Sequence, residues 1–581
     1  PFLRSRAALE RLPARELSTM PWAFAKLKRE DPDLFRRVAE TSASRLHAFE
    51  PRDLSNLSWA LATASVTQSR FFGALAASLQ KSRSLDAFGA QAMSNIIWAF
   101  ATVRVANQAV LEALGDSCCR IIGRFEPQAL SNLAWSYATI SLRHDKLFQA
   151  IALVSFGDGR GREHFSSQAL SNMAWSFAKF SPLALCGESA LMNRTTLRFH
   201  TALTRAALGG SGLAKFNGQG LANFVWAAST MLQQNGSSAH DRQLLTCATE
   251  EFSRRLSLLS VPLGRAWHLE SAHDALKDAL GIVWALHHGN MLEVSILSKA
   301  RTELRRLGWA LDIDRMSPSE TSVTDASGEQ GPRIVVELAD RLVIMKPAGW
   351  ETDQGQRLAA APGRRGTTRR LLSEFLLSVG ICRKQPILMD TLHRRGIIHR
   401  LDLPCSGLIL VAKTYEAYYD MLLQLAGGII DRDYVAVVHG HVPPELTAVN
   451  EPVRWNVGRC SPGEVGRLGK PSSTSLKVLA HARRGCSGER FTLITLRIST
   501  GRRHQIRVHL SSRGYPVACD GKYTDSATYL ADLKWCPRNF LHRHRLAFED
   551  SSGVRREALS ALPADLVDAL SGMQACDEVS A

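Results

Sequence analysis

A six-residue box recurs down the first half of this chain, and it dictates what that half can become. Leu54-Ser-Asn-Leu-Ser-Trp59, Met93-Ser-Asn-Ile-Ile-Trp98, Leu130-Ser-Asn-Leu-Ala-Trp135, Leu170-Ser-Asn-Met-Ala-Trp175 and Leu221-Ala-Asn-Phe-Val-Trp226 are five copies, with weaker ones around Trp22 and Trp284. From Trp22 onward these tryptophans are spaced by 37, 39, 37, 40, 51 and 58 residues. A near-constant period with late insertions is the mark of stacked units, none of which can bury its apolar face alone. The first insertion takes in the glycine-rich stretch Gly209–Gly212.

Each copy reads as a helix. Leu130, Leu133, Ala134, Tyr137 and Ala138 fall at i, i+3, i+4, i+7 and i+8, and Trp135 lies roughly 140° round from Leu130. A helix apolar on two sides is sandwiched between neighbours, which predicts an all-α solenoid of helical hairpins. Second helices are expected to include Arg70–Leu79 and Lys146–Val154. The repeated Asn56, Asn95, Asn132, Asn172 and Asn223 need hydrogen-bond partners, expected in the next repeat. The tryptophans are expected in the core rather than stacked on bases. The box resembles the octotricopeptide and RAP-associated helical repeats of organellar RNA-binding proteins, over roughly residues 16–290. That resemblance implies single-stranded RNA read along one face, and a chloroplast or mitochondrial location. Protein binding, as by armadillo-like arrays, is the competing use of the architecture.

Charge and cysteine usage narrow the classes. The 581 residues carry a net charge of +17, which points to a polyanionic partner. The excess is shared, +11 in residues 1–310 and +6 in 311–581. The 11 cysteines include no C-x-x-C, which argues against a disulfide framework or a cysteine zinc site. No apolar run is long enough for a membrane span.

The pattern changes after a polar Ser/Thr/Gly/Pro-rich stretch, Asp314–Arg333, read as a linker. Short strand-like runs follow at Ile334–Leu338, Leu342–Met345, Ile409–Ala412, Tyr434–Val438, Ser475–Leu479 and Phe491–Ile498, with helical stretches at Arg370–Ser378 and Ala417–Leu425. The fold class is therefore multidomain: an N-terminal all-α solenoid, then an α+β domain with a mainly antiparallel sheet. The expected boundaries are residues 1–312 for the repeats, 313–333 for the linker, 334–550 for the α+β domain and 551–581 for a C-terminal tail.

Chemistry-bearing motifs concentrate in the second half. Val343-Ile-Met-Lys346-Pro-Ala-Gly349, Gly396-Ile-Ile-His399-Arg400-Leu401-Asp402 running on to Ser406-Gly407, Arg432-Asp433-Tyr434, and Thr500-Gly-Arg502-Arg503-His504-Gln505-Ile506-Arg507 occur in that order. Gly514–Tyr523 and Leu541–Phe548 follow. Over roughly 334–550 these blocks resemble the RluA/RsuA-type RNA pseudouridine synthases. The resemblance implies an isomerase that breaks the N1–C1′ bond of uridine, rejoins C5 to C1′ and removes the C5 proton. No redox or group-transfer step occurs, so no cofactor and no metal is expected. The family's catalytic aspartate maps onto Asp402, which could attack the sugar or assist through the base. Its arginine maps onto Arg507, expected to keep the carboxylate ionised. Its tyrosine maps onto Tyr434, placed to stack on uracil and approach the C5 proton. Arg400 resembles the residue that holds the flipped state. Lys346, Arg502 and His504 are expected to contact RNA phosphate or the framework.

Weighed singly, Asp402 would pass for a surface ion-pair partner and Tyr434 for an ordinary strand residue. The ordered motifs favour the active-site reading. The alternating pairs His439/His441 and His542/His544 lack companion ligands for zinc. Leu403-Pro404-Cys405 and Arg503 depart from the family's usual residues, and Pro404 sits where it could displace the Asp402 loop. The partner is expected to be RNA (ribosomal, transfer or organellar), with no membrane and the oligomeric state open. The alternatives are an organellar RNA-binding factor, or a protein-binding scaffold, with an inactive synthase domain.

Overall fold

The computed structural model describes residues 6–576, except 30, 67–69, 82–84, 86, 106, 157–164, 181–188, 210–211, 236–238, 260–268, 314–330, 353–369, 379–384, 456–461, 467–468 and 486–487. The linker expected at 314–333 therefore lies almost wholly outside the described residues. The chain divides into two compact units, with the main boundary between Glu251 and Phe252.

The first unit is helical. Its helices are α1 (Arg6–Arg11), α2 (Ala14–Lys26), α3 (Pro32–Ala43), α4 (Pro51–Thr63), α5 (Arg70–Lys81), α6 (Ala90–Thr102), α7 (Gln108–Arg120), α8 (Pro127–Ile140), α9 (Asp145–Phe156), α10 (Ser167–Phe180), α11 (Ser189–Leu208) and α12 (Gly218–Asn235), and α13 (Ala239–Leu259) crosses the boundary. The box helices α2, α4, α6, α8, α10 and α12 pack each on the next in one row, and α3, α5, α7, α9 and α11 form a second. The starts follow from sequence. Pro51 and Pro127 occupy first-turn positions where no amide hydrogen is needed, and Asp53 closes a capping box with Glu50. The ends follow a shared rule. Lys28, Ser65, Arg104 and Ser141 all adopt positive φ (52–58°) just past a box helix. The next amide then bonds back five residues, as in Val66 N to Leu61 O and Val105 N to Phe100 O, both 3.0 Å.

Two expectations about the box need correcting. Leu57, Ile96, Leu133, Met173 and Phe224 are fully buried between rows, but all seven repeated tryptophans are only half-buried. The Leu, Ile, Met and Phe positions fill the core, so the indoles lie at the margin of the box row. The asparagine at the third box position shares that side, three residues before each tryptophan. Asn95 donates to Ser55 Oγ at 3.1 Å, so its partner lies in the preceding copy, not the next.

The second unit opens with α14 (Leu269–His288) and α15 (Val294–Ile313), followed by the sheet. These two helices thus side with the α+β fold, although the sequence boundary was drawn at 312. The reason is a tight joint with α17 (Tyr415–Ala426). A Cβ at Gly308 would lie 2.6 Å from Glu416 Cα, so the helix backbones touch. Asp312 accepts the first two amides of α17, from Tyr415 at 2.8 Å and Glu416 at 3.0 Å. Arg301 pairs with the fully buried Asp420 at 2.6 Å, and Arg305 with Glu416 at 2.7 Å.

The remaining elements are β1 (Arg333–Glu337), β2 (Arg341–Lys346), β3 (Trp350–Glu351), β4 (Arg370–Leu371), α16 (Leu372–Ser378), β5 (Ser406–Ala412), β6 (Asp431–His439), β7 (Ala448–Val449), β8 (Val453–Arg454), β9 (Glu464–Val465), β10 (Thr474–Arg484), β11 (Glu489–Ile498), α18 (Gln505–Ser512), α19 (Ser526–Asp532), β12 (Leu541–Glu549), β13 (Arg555–Leu559), α20 (Ala564–Ser571) and β14 (Gln574–Cys576). The main sheet runs β1-β2-β5-β12-β6-β11-β10-β14. Its pairings are antiparallel except β5 with β12, so the mainly antiparallel expectation agrees with the sheet. At that parallel joint Gly407 has φ +132°, and a Cβ there would lie 2.5 Å from Arg543 O. The segment expected as a tail is part of the sheet, since β13 pairs with β12 and β14 with β10. Among the described residues no helix is long and apolar enough to cross a membrane.

The joint predicts that Gly308→Val, which forces α15 off α17, lowers the stability of the second unit by about 3 kcal/mol, measurable by urea unfolding.

Candidate active site

Asp402 sits on a loop pinned from both sides. Cys405 N bonds to Asp402 O at 3.1 Å, closing a turn that contains Pro404, and Gly349 N bonds to Leu403 O at 2.9 Å. Pro404 is thus accommodated within the turn, and the Asp402 carboxylate keeps its place at the cavity wall. Arg507, on the first turns of α18, donates to Asp402 Oδ2 through Nη1 at 2.9 Å. The rest of its guanidinium grips Asp520, with Nε and Nη2 each at 2.7 Å from the two carboxylate oxygens. Asp520 is fully buried and Arg507 nearly so. Burial alone would weaken the guanidinium's hold on its proton. The Asp520 bonds and the Asp520 and Asp402 charges outweigh that and hold it firmly protonated. One arginine therefore satisfies a buried carboxylate with two prongs and aims the third at the carboxylate on the cavity wall.

The loop before α18 is fastened by Gln505. Its Oε1 accepts from Thr500 Oγ1 at 2.8 Å and Arg502 N at 3.0 Å, while its Nε2 donates to Ser473 O at 2.9 Å. His504 stands at positive φ (51°) as the helix cap. Its Nε2 is 3.8 Å from Asp402 Oδ2 and its Nδ1 3.1 Å from the Tyr523 hydroxyl. Burial pushes the imidazole down to about 4, against the pull of Asp402.

Tyr434 enters from β6, its ring almost fully buried. Its hydroxyl oxygen accepts from Arg543 on β12, at 2.9 Å from Nε and also from Nη2. The Arg543 guanidinium carbon is 4.9 Å from the Tyr434 ring centroid. Arg543 in turn meets His399 Nδ1 at 2.8 Å and Leu408 O at 2.9 Å. His399 is held neutral by burial and the neighbouring arginines, so it can accept that bond. Arg432, buried beneath, donates to Ser499 O at 2.9 Å and Ile498 O at 3.2 Å.

Asp402, Tyr434 and Arg507 line one cavity of about 530 Å³, together with Arg400, Arg502 and His504. Seven arginines and a single carboxylate line it, an arrangement suited to an anionic substrate carrying one reactive centre. Arg400 is exposed. Arg502 is half-buried and tied through Nε to Pro471 O at 3.1 Å. Lys346 is absent from the wall and fully buried, donating to Pro347 O at 2.9 Å and Trp350 O at 3.0 Å. Burial pushes its amine down to about 8. Of the two roles weighed for Lys346, the framework role fits and RNA contact does not. The histidines considered for zinc bond elsewhere, His439 to Asp532 at 2.8 Å and His542 to Ser406 at 2.9 Å.

Asp520, Arg543 and His399 were not assigned roles from sequence. A buried, fork-shaped cation needs a second acid, and that requirement alone could have directed attention to Asp520 in the Gly514–Tyr523 block.

Residues 341–512 match the RNA pseudouridylate synthase family model, and residues 3–145 match that of the RNA-editing substrate-binding complex 6 protein. The chain is 32% identical over 257 residues to a protein named ribosomal large subunit pseudouridine synthase D from Yersinia pestis, covering 42% of this chain and 71% of that one. It is 33% identical over 248 residues to the protein of the same name from Buchnera aphidicola, covering 41% and 72%. The solved structure of human RNA pseudouridylate synthase domain containing 4 aligns with a TM-score of 0.31 at 18% identity, over 42% of this chain and 93% of that one.

Asp520→Asn is expected to destabilise the protein by about 3–5 kcal/mol by leaving a buried guanidinium half-paired. The same change should cut kcat about 100-fold through a misaimed Asp402, read from single-turnover kinetics beside a melt. Because His504 is already neutral above its lowered pKa, His504→Gln should leave the shape of the kcat profile unchanged over roughly pH 6 to 8.

Proposed function

Because the chain belongs to the RNA pseudouridine synthase family, and so is an isomerase, we propose that it converts uridines of ribosomal RNA into pseudouridine with Asp402 as the group that starts the reaction. The observation that carries this reading is the Arg507 bridge, which aims the Asp402 carboxylate in a cavity lined by seven arginines and no other carboxylate. The phosphates flanking the target find Arg400 and Arg502, and the everted uracil enters beside Tyr434. Asp402 attacks C1′, as in retaining glycosidases, or engages the base. On either route the N1–C1′ bond breaks, the uracil turns, C5 joins C1′ (displacing Asp402 where it had bonded to the sugar), N1 gains a proton and C5 loses one. In this reading the Tyr434 hydroxyl, bonded to Arg543, relays that proton, taking it from C5 while releasing its own to water.

The helical repeats select the RNA. Support comes from the half-buried indoles, from Lys26 and Lys179 at 4.8 and 5.3 Å from the Trp22 and Trp175 ring centroids, and from the RNA-editing family match. An organellar location rests on the repeat resemblance alone.

The test is tritium release from RNA labelled at C5 of uridine, without added metal. The unmodified chain is expected to release tritium from ribosomal RNA. Asp402→Asn should lower release at least 1,000-fold while filter retention of the RNA stays within about twofold. Full activity in that variant would remove Asp402 from the mechanism. No release from any cellular RNA by the unmodified chain would return the inactive-domain reading.

A further inference from the structure

The cavity that holds Asp402 is not built from the synthase motifs alone. Part of its wall is Leu280, Gly281 and Trp284, from α14. This helix is a copy of the box: Trp284 holds the tryptophan position, and Asn290 takes the same positive φ (55°) past its end, with Met291 N bonded to Leu286 O at 2.9 Å. The copy is altered at three places, the first box position (Leu or Met there, Ala279 here) and two that border the cavity. The residue three before the tryptophan is Asn in the five strong copies and Gly281 here, and the residue before that is Ser or Ala there and Leu280 here. The Ser and Asn positions of the box are thus apolar where this copy borders the cavity, and the amide side chain of the Asn is gone. The Trp284 indole is half-buried, parallel to His288 at 5.4 Å, and lies 5.6 Å from the Arg502 guanidinium carbon.

We propose that Trp284 contacts the RNA nucleotide next to the target uridine, so that a repeat helix reads sequence context inside the catalytic cavity. The surface it offers has two chemistries side by side. The indole suits the flat face of a nucleobase, and the Arg502 fork suits the phosphate of the same nucleotide. The missing asparagine side chain leaves the approach to both open. The inference rests on the synthase reading for its substrate.

Binding in the inactive Asp402→Asn background separates the two, because it needs no turnover. Affinity for a uridine-containing ribosomal RNA fragment is measured by filter retention, with a thermal melt of each variant. Adding Trp284→Leu is expected to weaken binding about tenfold at unchanged melting temperature, within the range for loss of one base–aromatic stack. Trp284→Phe should stay within about threefold of the parent, since a flat ring is retained. Gly281→Asn, which restores the side chain of the other copies, should also weaken binding about tenfold by filling the approach. In the Asp402-intact chain, Trp284→Leu should raise KM for tritium release by a similar factor and leave kcat within about twofold. Equal affinity for the Leu and Phe variants and the parent would overturn the proposal. So would equal losses for Leu and Phe accompanied by a lower melting temperature, which would make the indole a packing residue. Absence of tritium release from the unmodified chain, with these affinities as expected, would count against the synthase chemistry and not against the Trp284 contact.

Discussion

One guanidinium shared between two carboxylates governs the catalytic unit. Arg507 gives two prongs to the buried Asp520 and one to Asp402, all within 2.7–2.9 Å. A lone carboxylate at a cavity wall could ionise or protonate as its surroundings dictated. A lone buried arginine would carry an unmet desolvation cost. Joined, each removes the other's liability, and the geometry of a planar fork fixes direction as well as charge. The elements around this bridge keep it in place: Gln505 holds the loop before α18, and Cys405 and Gly349 hold the loop of Asp402.

The opposite wall uses the same device with a different acceptor. Arg543 is spread over a phenol oxygen, a neutral imidazole and a backbone carbonyl. It reaches them because β12 lies between β5 and β6, so one side chain meets Leu408 on one neighbour and Tyr434 on the other. Gly407 permits that strand to come close. The cavity is thus framed by two arginines, one aiming the acid and one fixing the tyrosine.

Much of this was legible in the chain. The box period located the helices, the strand runs fall on observed strands with only Leu338 past the end of one, and Asp402, Tyr434 and Arg507 share one cavity. What escaped notice has common physical causes. Asp520 and Arg543 act through partners 13 and 109 residues away, and periodicity carries no information on such pairings. The tryptophans were assigned to the core because they recur within its periodic pattern, but the shorter box residues fill that space, leaving the indoles at its margin. Lys346 was read as a contact to phosphate or to the framework, and two carbonyls hold it inside in the second of these roles. The end of α15 was grouped with the repeats because its sequence is helical. A glycine contact and an aspartate cap bind it to α17 instead, and neither shows in a hydrophobic pattern.

The place of β12 in the middle of the sheet sets an order of events during synthesis. A ribosome delivers β5 and β6 long before residues 541–549, and each offers a bare row of backbone donors and acceptors across the gap that β12 will fill. The helical repeats, whose contacts are between near neighbours in the chain, are free to settle as they emerge. The catalytic half has to wait with its centre open, exposed to pairing with other nascent chains. A truncated message ending before β12 would therefore yield not a weak enzyme but a sticky one, with Tyr434 unsupported and two raw edges at the heart of the molecule.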